Sequence, residues 1–394
     1  MSDAGTTRER LKRAFELYSH GHLDAAEAVC AEAAAQDPGN PNGLHLRGLI
    51  AGRRGERAEA VALIDQAVAR APRVAAFRTS FGLALAAANQ PWLGAAALLQ
   101  AARLAPADLA VQEHLFRVLR EGIASGAIAP PADEFAGAAP PAYPISLVIC
   151  SIDPARHAGA LAAYRAALAG CNLDIIGIHD ARSLAEGYNR GLAGARGEVV
   201  IFSHDDIDIL SANLGARLAA ALREADVVGI AGSSRLTGPA YAWNGAAVQG
   251  WIFQCPDPRG PYEALVFDLE GGAAAPAMAL DGVFLCARRA VAERVRFDAA
   301  TFDGFHLYDT DFTYRAFLAG CRVAVTHDVA LVHRSSGSFG AAWQLYADRF
   351  SAKFPEIRGA SAPRVLSRVA LPTRAAAATF HEALRHLCRA VVRI

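Results

Sequence analysis

Acidic side chains follow an apolar run in the middle of the chain. Asp205, Asp206 and Asp208 come directly after Glu198–Ser203, a run typical of a buried strand. Carboxylates just past a buried strand suit a divalent cation, which would bridge a diphosphate. The alternative is that Asp208 or Ser211 caps a helix that we expect from residue 211. Three acids exceed what a cap requires, so we predict a metal ligand at Asp206.

A second group of chemically capable side chains lies in the C-terminal third. Asp309 and Asp311 open a helix expected to end at Gly320, where the helix dipole alone would also favour carboxylates. His333 ends an apolar run and leads into Arg334–Phe339, a polar Gly/Ser segment of the kind that can wrap phosphate. For His333 the residues leave a ligand role and a structural role open.

Short strands alternate with helices around these residues. Such alternation implies a parallel, doubly wound sheet whose ligand site lies beyond the carboxyl ends of the strands. Asp180 follows the second strand, where it can accept hydrogen bonds from a base or ribose or be an ordinary turn aspartate. The predicted strands are Ile145–Cys150, Asp174–Ile178, Glu198–Ser203, Val227–Ala231, Leu280–Arg289 and Val329–His333, and the predicted helices span about 155–169, 183–194, 211–224 and 309–320.

The N-terminal third contains an internal repeat. Pro38, Pro72 and Pro106 follow one another at the same spacing. Small or turn-forming residues recur in phase with them, namely Ala14, Gly48 and Gly82, then Gly21, Gly55 and Asn89, then Ala26, Ala60 and Gly94, then Ala33, Ala67 and Ala101. Paired antiparallel helices need small residues where they approach closely. The period resembles the tetratricopeptide (TPR) pattern, with a capping helix near 109–122, and we predict an all-α solenoid over 1–125.

Two segments flank the α/β region. Residues 126–142 are rich in Ala, Pro and Gly, with paired prolines at 130–131 and 140–141, and are predicted to be an extended linker. The α/β domain is predicted over 143–356, and 357–394 is a basic tail. An amphipathic helix from about Arg374 would either pack on its own domain or touch an anionic membrane. The tail's arginines are Arg358, Arg364, Arg368, Arg374, Arg385, Arg389 and Arg393, and its apolar residues include Val365 and Val392.

Composition restricts the classes of function. The 39 basic and 39 acidic residues cancel, so no general basic field indicates a nucleic-acid partner. Seven scattered cysteines without a CxxC pair argue against a structural zinc site and fit a reducing compartment. No secretory signal and no apolar run of spanning length is visible. We therefore expect a cytoplasmic protein, with the inner face of the membrane as the alternative that the tail offers.

The stretch from Tyr143 to about Phe354 resembles a GT-A glycosyltransferase of the inverting family 2 type, in particular the subgroup with "FxHxD" in place of a DxD motif. Four pieces carry the resemblance, namely the opening Ile145–Cys150 strand, Ala185-Glu-Gly-Tyr-Asn-Arg-Gly191, Ile201-Phe-Ser-His-Asp-Asp206, and Tyr308-Asp-Thr-Asp-Phe-Thr-Tyr-Arg-Ala316 followed by His333. The fold it implies is a Rossmann-like mixed sheet flanked by helices. Tyr308 departs from the family, which usually has Glu before this aspartate.

The resemblance also implies roles for individual residues. Asp309 inherits the general base, with Asp311 of the same helical turn as the second candidate. Asp206 and His333 inherit a Mg²⁺ or Mn²⁺ site. Because the motif reads His-Asp-Asp, Asp205 could be the ligand in place of Asp206. The remaining residues predicted to bind the donor nucleotide are Cys150, Ser151, Asp180, Asn189 and Asp205.

The expected function is transfer of a sugar, with inversion, from a UDP- or GDP-linked donor to a hydroxyl of a sugar, lipid-linked or protein acceptor. Asp309 would take the hydroxyl proton during attack, which demands close positioning and no large pKa shift. The repeat array would dock a protein partner or the acceptor. Two alternatives remain at this point: an inactive GT-A/TPR scaffold, and a nucleotidyltransferase, which would need a basic Gly-rich loop that Cys150-Ser-Ile-Asp-Pro154 does not provide.

Overall fold

The structure is a computed structural model that describes residues 3–129, 132–238, 247–257, 259–335, 340–357 and 366–391. Pro130, Pro131, residues 336–339 of the Gly/Ser segment, and Arg358, Arg364, Val365, Val392 and Arg393 of the tail lie outside the described residues. The chain divides into two compact units, Met1–Pro130 with Ala390–Ile394, and Pro131–Arg389. No helix in the described part combines the length and apolar character that crossing a bilayer requires.

The N-terminal unit is a helical repeat array, as the repeat predicts. Consecutive helices pack against each other, and the last of them is the predicted capping helix. The helices are α1 (Asp3–Ser19), α2 (Leu23–Gln36), α3 (Pro41–Arg54), α4 (Arg57–Arg70), α5 (Ala75–Ala87), α6 (Pro91–Leu104) and α7 (Leu109–Ala124).

The residues that recur in phase have physical reasons to recur. Gly21 and Gly55 both have φ of +83°, and Asn89 has φ of +61°, so each turn between paired helices uses a left-handed residue. A Cβ on Gly82 would lie 2.7 Å from the carbonyl oxygen of Gly94. These two helices therefore approach backbone to backbone, which only glycine permits.

The second unit contains 14 strands and seven helices within its described residues. Its strands are β1 (Ile145–Cys150), β2 (Leu173–Ile178), β3 (Val199–Ser203), β4 (Ile207–Ile209), β5 (Val227–Gly229), β6 (Ala231–Ser233), β7 (Val248–Gln254), β8 (Tyr262–Val266), β9 (Ala275–Pro276), β10 (Ala279–Leu280), β11 (Phe284–Arg288), β12 (Val323–Val325), β13 (Leu331–His333) and β14 (Ser367–Leu371). Its helices are α8 (Pro154–Ala167), α9 (Leu184–Gly194), α10 (Leu214–Glu224), α11 (Arg289–Val295), α12 (Tyr308–Leu318), α13 (Ala341–Lys353) and α14 (Arg374–Ala390).

The main sheet is mixed, which confirms the predicted fold class. Its strand order is β2-β1-β3-β11-β5-β12-β9. The strands β2, β1 and β3 are parallel, as alternation with helices requires. The expectation of a wholly parallel sheet is wrong for β11, which runs antiparallel to both β3 and β5. This strand returns from a loop and not from a crossover helix, so it enters the sheet from the opposite end.

A second sheet has the order β10-β6-β7-β13-β4, with β8 pairing β7 and β14 pairing β8. Of these strands only β13 was predicted, since the predicted strands Val227–Ala231 and Leu280–Arg289 reach β6 and β10 by a single residue each. The strand β4 has only three residues and directly follows Asp206, so the run of acids hid it. This sheet matters for the site because it contains His333 at the end of β13.

The C-terminal helix α14 packs within its own unit. Phe380, Leu384 and Leu387 are fully buried, and the His381 ring lies 5.7 Å from that of Trp251 in β7. The packing alternative for the tail therefore describes this helix. Its apolar face is not available to a membrane.

The predicted linker segment divides at the unit boundary. Asp133 accepts a 2.7 Å hydrogen bond from Arg217, a guanidinium that is only 1% exposed. Glu134 pairs with Arg385 and Arg389 of α14. Residues 133 and 134 are thus held to the second unit by ion pairs and belong structurally to it.

Candidate active site

Two histidines and one aspartate converge at the edge between the two sheets. The Asp206 Oδ1 atom lies 3.3 Å from His333 Nε2 and 4.0 Å from His204 Nδ1. The two imidazole nitrogens, His204 Nδ1 and His333 Nε2, lie 3.4 Å apart. We call these three residues the His–Asp–His cluster. The structure thus brings Asp206 and His333 together and adds His204 to them.

Strand register explains this convergence. His204 and Asp206 follow β3, and the chain then continues into β4. Because β4 pairs antiparallel with β13, Ile207 stands opposite His333. The backbone N–H of Arg334 also donates to the carbonyl of Asp206 at 2.9 Å. His333, which lies 129 positions after His204, is therefore fixed beside Asp206 by two short strands.

The protonation states of the cluster suit a cation. Burial, reinforced by the charge of His333, lowers the pKa of His204 to about 4, so this imidazole is neutral at pH 7. Burial alone would raise the pKa of Asp206, but hydrogen bonding and charge from His333, together with Ser335 and His204, hold it well below its usual range. The cluster therefore offers a neutral imidazole and an ionised carboxylate, both competent as ligands.

The spacing of the three donor atoms fits a single ion. Ligand atoms around an ion with bonds of about 2.0 to 2.2 Å lie about 3 to 3.5 Å apart. Two of the three separations, 3.3 and 3.4 Å, fall in this range, and all three ligand atoms lie within 4.8 Å of one another. Within the described residues this is the one group of three or more such side chains that meets that criterion.

The two aspartates after His204 point to different partners. Asp205 Oδ2 accepts a 2.6 Å hydrogen bond from the hydroxyl of Ser151 at the end of β1. The geometry therefore favours Asp206 over Asp205 as the ligand. The alternative in which Asp208 caps a helix is wrong, because Asp208 lies in β4 and accepts a 2.7 Å bond from Arg374, whereas α10 begins six residues later.

Asp309 lies in the first turn of α12 and is half-buried. Its Oδ2 accepts a hydrogen bond of 2.6 Å from the backbone N–H of Gly282. The hydroxyl of the adjacent Tyr308 lies 3.0 Å from His204 Nε2. Asp309 is thus one residue away from a direct contact with the His–Asp–His cluster.

The environment of Asp309 makes it a stronger base than an ordinary carboxylate. Burial, and after it the negative charge of Asp281, raises the pKa of Asp309 to about 7, although backbone N–H groups of Thr310 and Gly282 oppose the shift. The raised pKa differs from the expectation that this base needs no large shift. The backbone is also strained just before Asp309. The buried Leu307 that precedes α12 has φ of +59°, a costly value for a residue with a branched side chain.

Asp311, the second candidate base, is occupied elsewhere. It is fully buried, and its carboxylate pairs with Lys353 at 2.5 Å and with Arg315 at 2.8 Å. Both oxygens are therefore used inside the protein. The structure contradicts a base role for Asp311 and gives it a role in holding α12 against α13.

The residues predicted to bind the donor nucleotide do not all face one place. Asn189 uses both ends of its amide on the backbone of Phe297, at 2.8 and 3.0 Å, so a ligand role for it is contradicted. The Cys150 side chain packs against Gly187 of α9, and burial raises the pKa of its thiol to about 12. Ser151 and Asp205 face each other, and Asp180 is exposed and paired with Arg190 at 2.7 Å.

Three residues of this region were not identified from the sequence. His204 was visible in the motif Ile201–Asp206 but was not assigned as a ligand. Asp281 and Gly282 sit in the short turn before β11, and only the fold shows that this turn faces the start of α12. An acidic residue beside a glycine in such a turn carries no signal of its own.

A mixed sheet flanked by helices, with the His–Asp–His cluster and a half-buried acid beyond its strand ends, is the arrangement expected of a GT-A-type domain. The model of the "Glycosyltransferase like family" matches residues 146–351, which is more than half of the 394-residue chain. The chain therefore belongs to this family. No curated protein matches the chain.

Solved structures resemble parts of the chain only distantly. A mutant O-GlcNAc transferase of Thermobaculum terrenum is 22% identical over 45% of this chain and 38% of its own length, with a TM-score of 0.31. The mannosyltransferase PcManGT from Pyrobaculum calidifontis, solved with GDP-Man and Mn²⁺, is 14% identical over 63% of this chain and 74% of its own, with a TM-score of 0.33. The first TPR of Spaghetti (RPAP3), bound to an HSP90 peptide, is 18% identical over 30% of this chain and 94% of its own, with a TM-score of 0.29. The chain thus spans well under two thirds of the Thermobaculum protein.

Proposed function

We propose that the chain transfers a sugar, with inversion and with the help of a divalent cation, from a UDP- or GDP-linked donor to an acceptor hydroxyl. Asp309 is the general base, and His204, Asp206 and His333 hold the ion. The observation that carries this proposal is the junction of the two groups, because the Tyr308 hydroxyl contacts His204 at 3.0 Å while the next residue is the half-buried acid. One displacement at the anomeric carbon needs one base and no enzyme nucleophile, and it inverts that centre.

The raised pKa of Asp309 supports its role as the base. A base works best when its pKa lies near the working pH, because it is then both ionised and able to accept a proton during attack. A pKa of about 7 meets that condition better than an ordinary aspartate does. The hydrogen bond from Gly282 N–H engages Oδ2 and holds the carboxylate in place for this role.

The donor set favours Mn²⁺ over Mg²⁺. Mg²⁺ is bound in proteins almost wholly through oxygen, whereas two of the three ligand atoms here are imidazole nitrogens. When bound, the ion would neutralise the charge that builds on the departing diphosphate. The chain's own contribution is to keep His204 neutral and Asp206 ionised before the ion arrives.

Ser151 and Asp205 are the proposed donor-nucleotide side of the site. They join the carboxyl ends of β1 and β3 by their 2.6 Å hydrogen bond, next to the Asp206 ligand. Asp180 at the end of the adjacent β2 remains a proposal for the base or ribose, and its carboxylate would have to exchange the Arg190 contact for the ligand.

The helical array is proposed to hold a protein partner or a protein acceptor. Repeat arrays of this kind offer extended concave surfaces that suit peptides. This role is separable from the chemistry, because the chain divides into two compact units at residues 130 and 131.

A thermal-shift panel tests the metal and nucleotide proposals together. UDP, GDP, CDP and dTDP would be added to the full chain with and without Mn²⁺. A nucleotide at a hundred times its dissociation constant stabilises the folded state by about 2.7 kcal/mol. We expect one or two of the four nucleotides to raise the melting temperature, and to do so more strongly with Mn²⁺ than without it.

Asp206→Asn and Asp205→Asn are the matched variants for this panel, since they are neighbours with the same chemical change. Asp206→Asn should remove the Mn²⁺ dependence, whereas Asp205→Asn should keep it and weaken only the nucleotide effect. Mn²⁺ dependence that survives in Asp206→Asn and is lost in Asp205→Asn would move the ligand to Asp205. Mn²⁺ dependence unchanged in both would show that neither aspartate holds the ion and would reject the proposed metal site.

A further inference from the structure

Three polar contacts connect the His–Asp–His cluster to the base. The hydroxyl of Tyr308 lies 3.0 Å from Nε2 of His204, the nitrogen that faces away from the other two cluster residues. The same hydroxyl donates to the carbonyl oxygen of Gly282 at 3.4 Å. On the other side of that residue, the Gly282 N–H donates to Asp309 at 2.6 Å.

We propose that Tyr308 is a positioning residue that fixes His204 in the Nε2–H tautomer and ties this ligand to the glycine that holds the base. The proposal rests on the proposed function, because it assumes that His204 is a metal ligand and Asp309 the base. It concerns how this chain orients them with a residue that replaces the glutamate expected at this position.

The direction of the hydrogen bonds carries the proposal. A carbonyl oxygen can only accept, and that of Gly282 lies 3.4 Å from the Tyr308 hydroxyl. We assign the hydroxyl proton to this carbonyl, which leaves the Tyr308 oxygen to accept at 3.0 Å from His204 Nε2 and places the imidazole proton on that nitrogen. A neutral imidazole protonated at Nε2 has its lone pair at Nδ1.

That lone pair is where a cation would need it. His204 Nδ1 lies 3.4 Å from His333 Nε2 and 4.0 Å from Asp206 Oδ1. The opposite tautomer would place a proton at Nδ1, between the ligand atoms, and would exclude the ion. Hydrogen bonds to the non-ligating nitrogen of a metal-binding histidine generally fix ring orientation and tautomer in this way.

Packing holds the hydroxyl in place. Tyr308 is 2% exposed, and its ring contacts those of Tyr188 and Phe297 at centroid distances of 5.8 and 6.1 Å. Gly282 is required on the other side, because a Cβ there would overlap the Tyr308 hydroxyl and come within 2.7 Å of Asp309. The hydroxyl therefore has little freedom to move away from His204.

The main test compares Mn²⁺ affinity of the full chain before and after Tyr308→Phe, using loss of the free-ion signal in electron paramagnetic resonance without any nucleotide. Phenylalanine keeps the ring packing and removes only the hydroxyl. We expect Mn²⁺ affinity to fall about 10- to 100-fold, the usual effect of deleting a partner of a metal-ligating histidine. Tyr314→Phe is the matched control, since it removes a buried hydroxyl of the same helix that bonds Glu356 instead, and it should leave the affinity unchanged.

A double-mutant cycle separates an effect through His204 from general damage. In a His204→Ala background, Tyr308→Phe should cause no further loss of Mn²⁺ affinity. An equal additional loss would show that Tyr308 acts by another route and would overturn the proposal. An affinity of Tyr308→Phe within twofold of wild type would overturn it as well, while leaving the metal site intact. Absence of Mn²⁺ binding by the wild-type chain would reject both the metal site and this inference.

The tautomer can also be read directly and without metal. In the ¹⁵N-histidine-labelled wild-type chain, long-range ¹H–¹⁵N spectra should show His204 protonated at Nε2, with the resonance assigned by its absence from His204→Ala. An Nδ1–H tautomer would refute the proposal, even in the case that Tyr308→Phe fails to fold.

Discussion

Replacing Asp309 by asparagine should make this protein more stable and nearly inactive. Asparagine retains an oxygen that can accept the Gly282 N–H bond of 2.6 Å, so the local hydrogen bond survives. It cannot accept a proton and carries no charge. The two consequences have opposite signs and different readouts, unfolding and turnover, so each can be measured separately.

The stability effect follows from the raised pKa. Burial disfavours the ionised carboxylate, so a carboxyl whose pKa rises from 3.8 to about 7 costs the folded chain up to about 4 kcal/mol once it is ionised. Solvent screening at this half-buried group lowers that cost, and so does its coupled titration with Asp281. We therefore expect Asp309→Asn to raise the free energy of unfolding by about 1 to 2 kcal/mol. The unfolded chain loses its proton above pH 4 and the folded chain only near pH 7, so the free energy of unfolding of wild type falls between those values. The asparagine variant lacks this fall, and its advantage should be absent at pH 4 and complete at pH 8.

The rate effect has the same pH window and the opposite sign. Donor hydrolysis or transfer by wild type should rise as pH passes through about 7, because the base must be ionised. Asp309→Asn should lose about 100-fold or more of the rate at pH 8, with normal Mn²⁺-dependent nucleotide binding. Urea unfolding at pH 4.5 and 8 and the release of nucleotide diphosphate give the two measurements.

Asp311→Asn is the control, two residues away in the same helix. It breaks a buried ion pair with Lys353 at 2.5 Å and should destabilise the chain by about 3 to 5 kcal/mol. The fraction that folds should retain the pH profile of wild type. A destabilised Asp309→Asn with a rate within threefold of wild type, beside an inactive Asp311→Asn, would refute the reasoning and exchange the two roles.

Three further predictions concern the frame of the site. A truncated chain that begins at residue 132 should bind Mn²⁺, whereas one that begins at 143 should be less stable in urea, because it lacks the Asp133 and Glu134 partners of buried arginines. Gly82→Ala should destabilise the helical array by about 1 to 3 kcal/mol in thermal unfolding, since its Cβ would meet a carbonyl oxygen at 2.7 Å, without changing Mn²⁺ affinity. Asp208→Asn should leave Mn²⁺-dependent nucleotide binding intact in the thermal-shift panel, because that carboxylate faces Arg374 at 2.7 Å and not the cluster.

The sequence predicted the fold where local pattern and global topology agree. The β1 strand was predicted at its observed bounds, because a short, continuous apolar run before a helix is typical of a buried strand. The repeated spacing of Pro38, Pro72 and Pro106 indicated the helical array. Each glycine that recurs with this spacing lies either where two helix backbones approach closely or in a left-handed turn. The strand β4 lacks such a signal, since it has three residues and directly follows the acids at 205 and 206.

From the sequence, the site could be predicted only as a set of residues at the ends of strands. Asp206 and His333 follow strands, so topology alone brings them to one edge, and the resemblance named them. Asp309 and Asp311 could not be separated in that way, because both stand in the first turn of one helix. Residues two apart on a helix point to nearly opposite sides, so one of them had to face inward, and only the packing of α13 shows which. The ligand role predicted for Asn189 is contradicted for a related reason. Its amide binds the backbone of Phe297, which is 108 positions away in sequence and is brought to it only by the fold.

The two aspartates of Asp309-Thr-Asp311 depend on each other physically. The first is held in a costly state, half-buried and beside another acid, at the end of a helix that follows a left-handed leucine. Such a state persists only where surrounding contacts fix it. Asp311 supplies those contacts through Lys353 and Arg315, and Thr313 adds a 3.0 Å bond to the backbone of Leu280, next to the turn that holds the base. Asp311 is therefore proposed to keep its neighbour Asp309 in the position that the proposed chemistry requires, through contacts with Lys353 and Arg315.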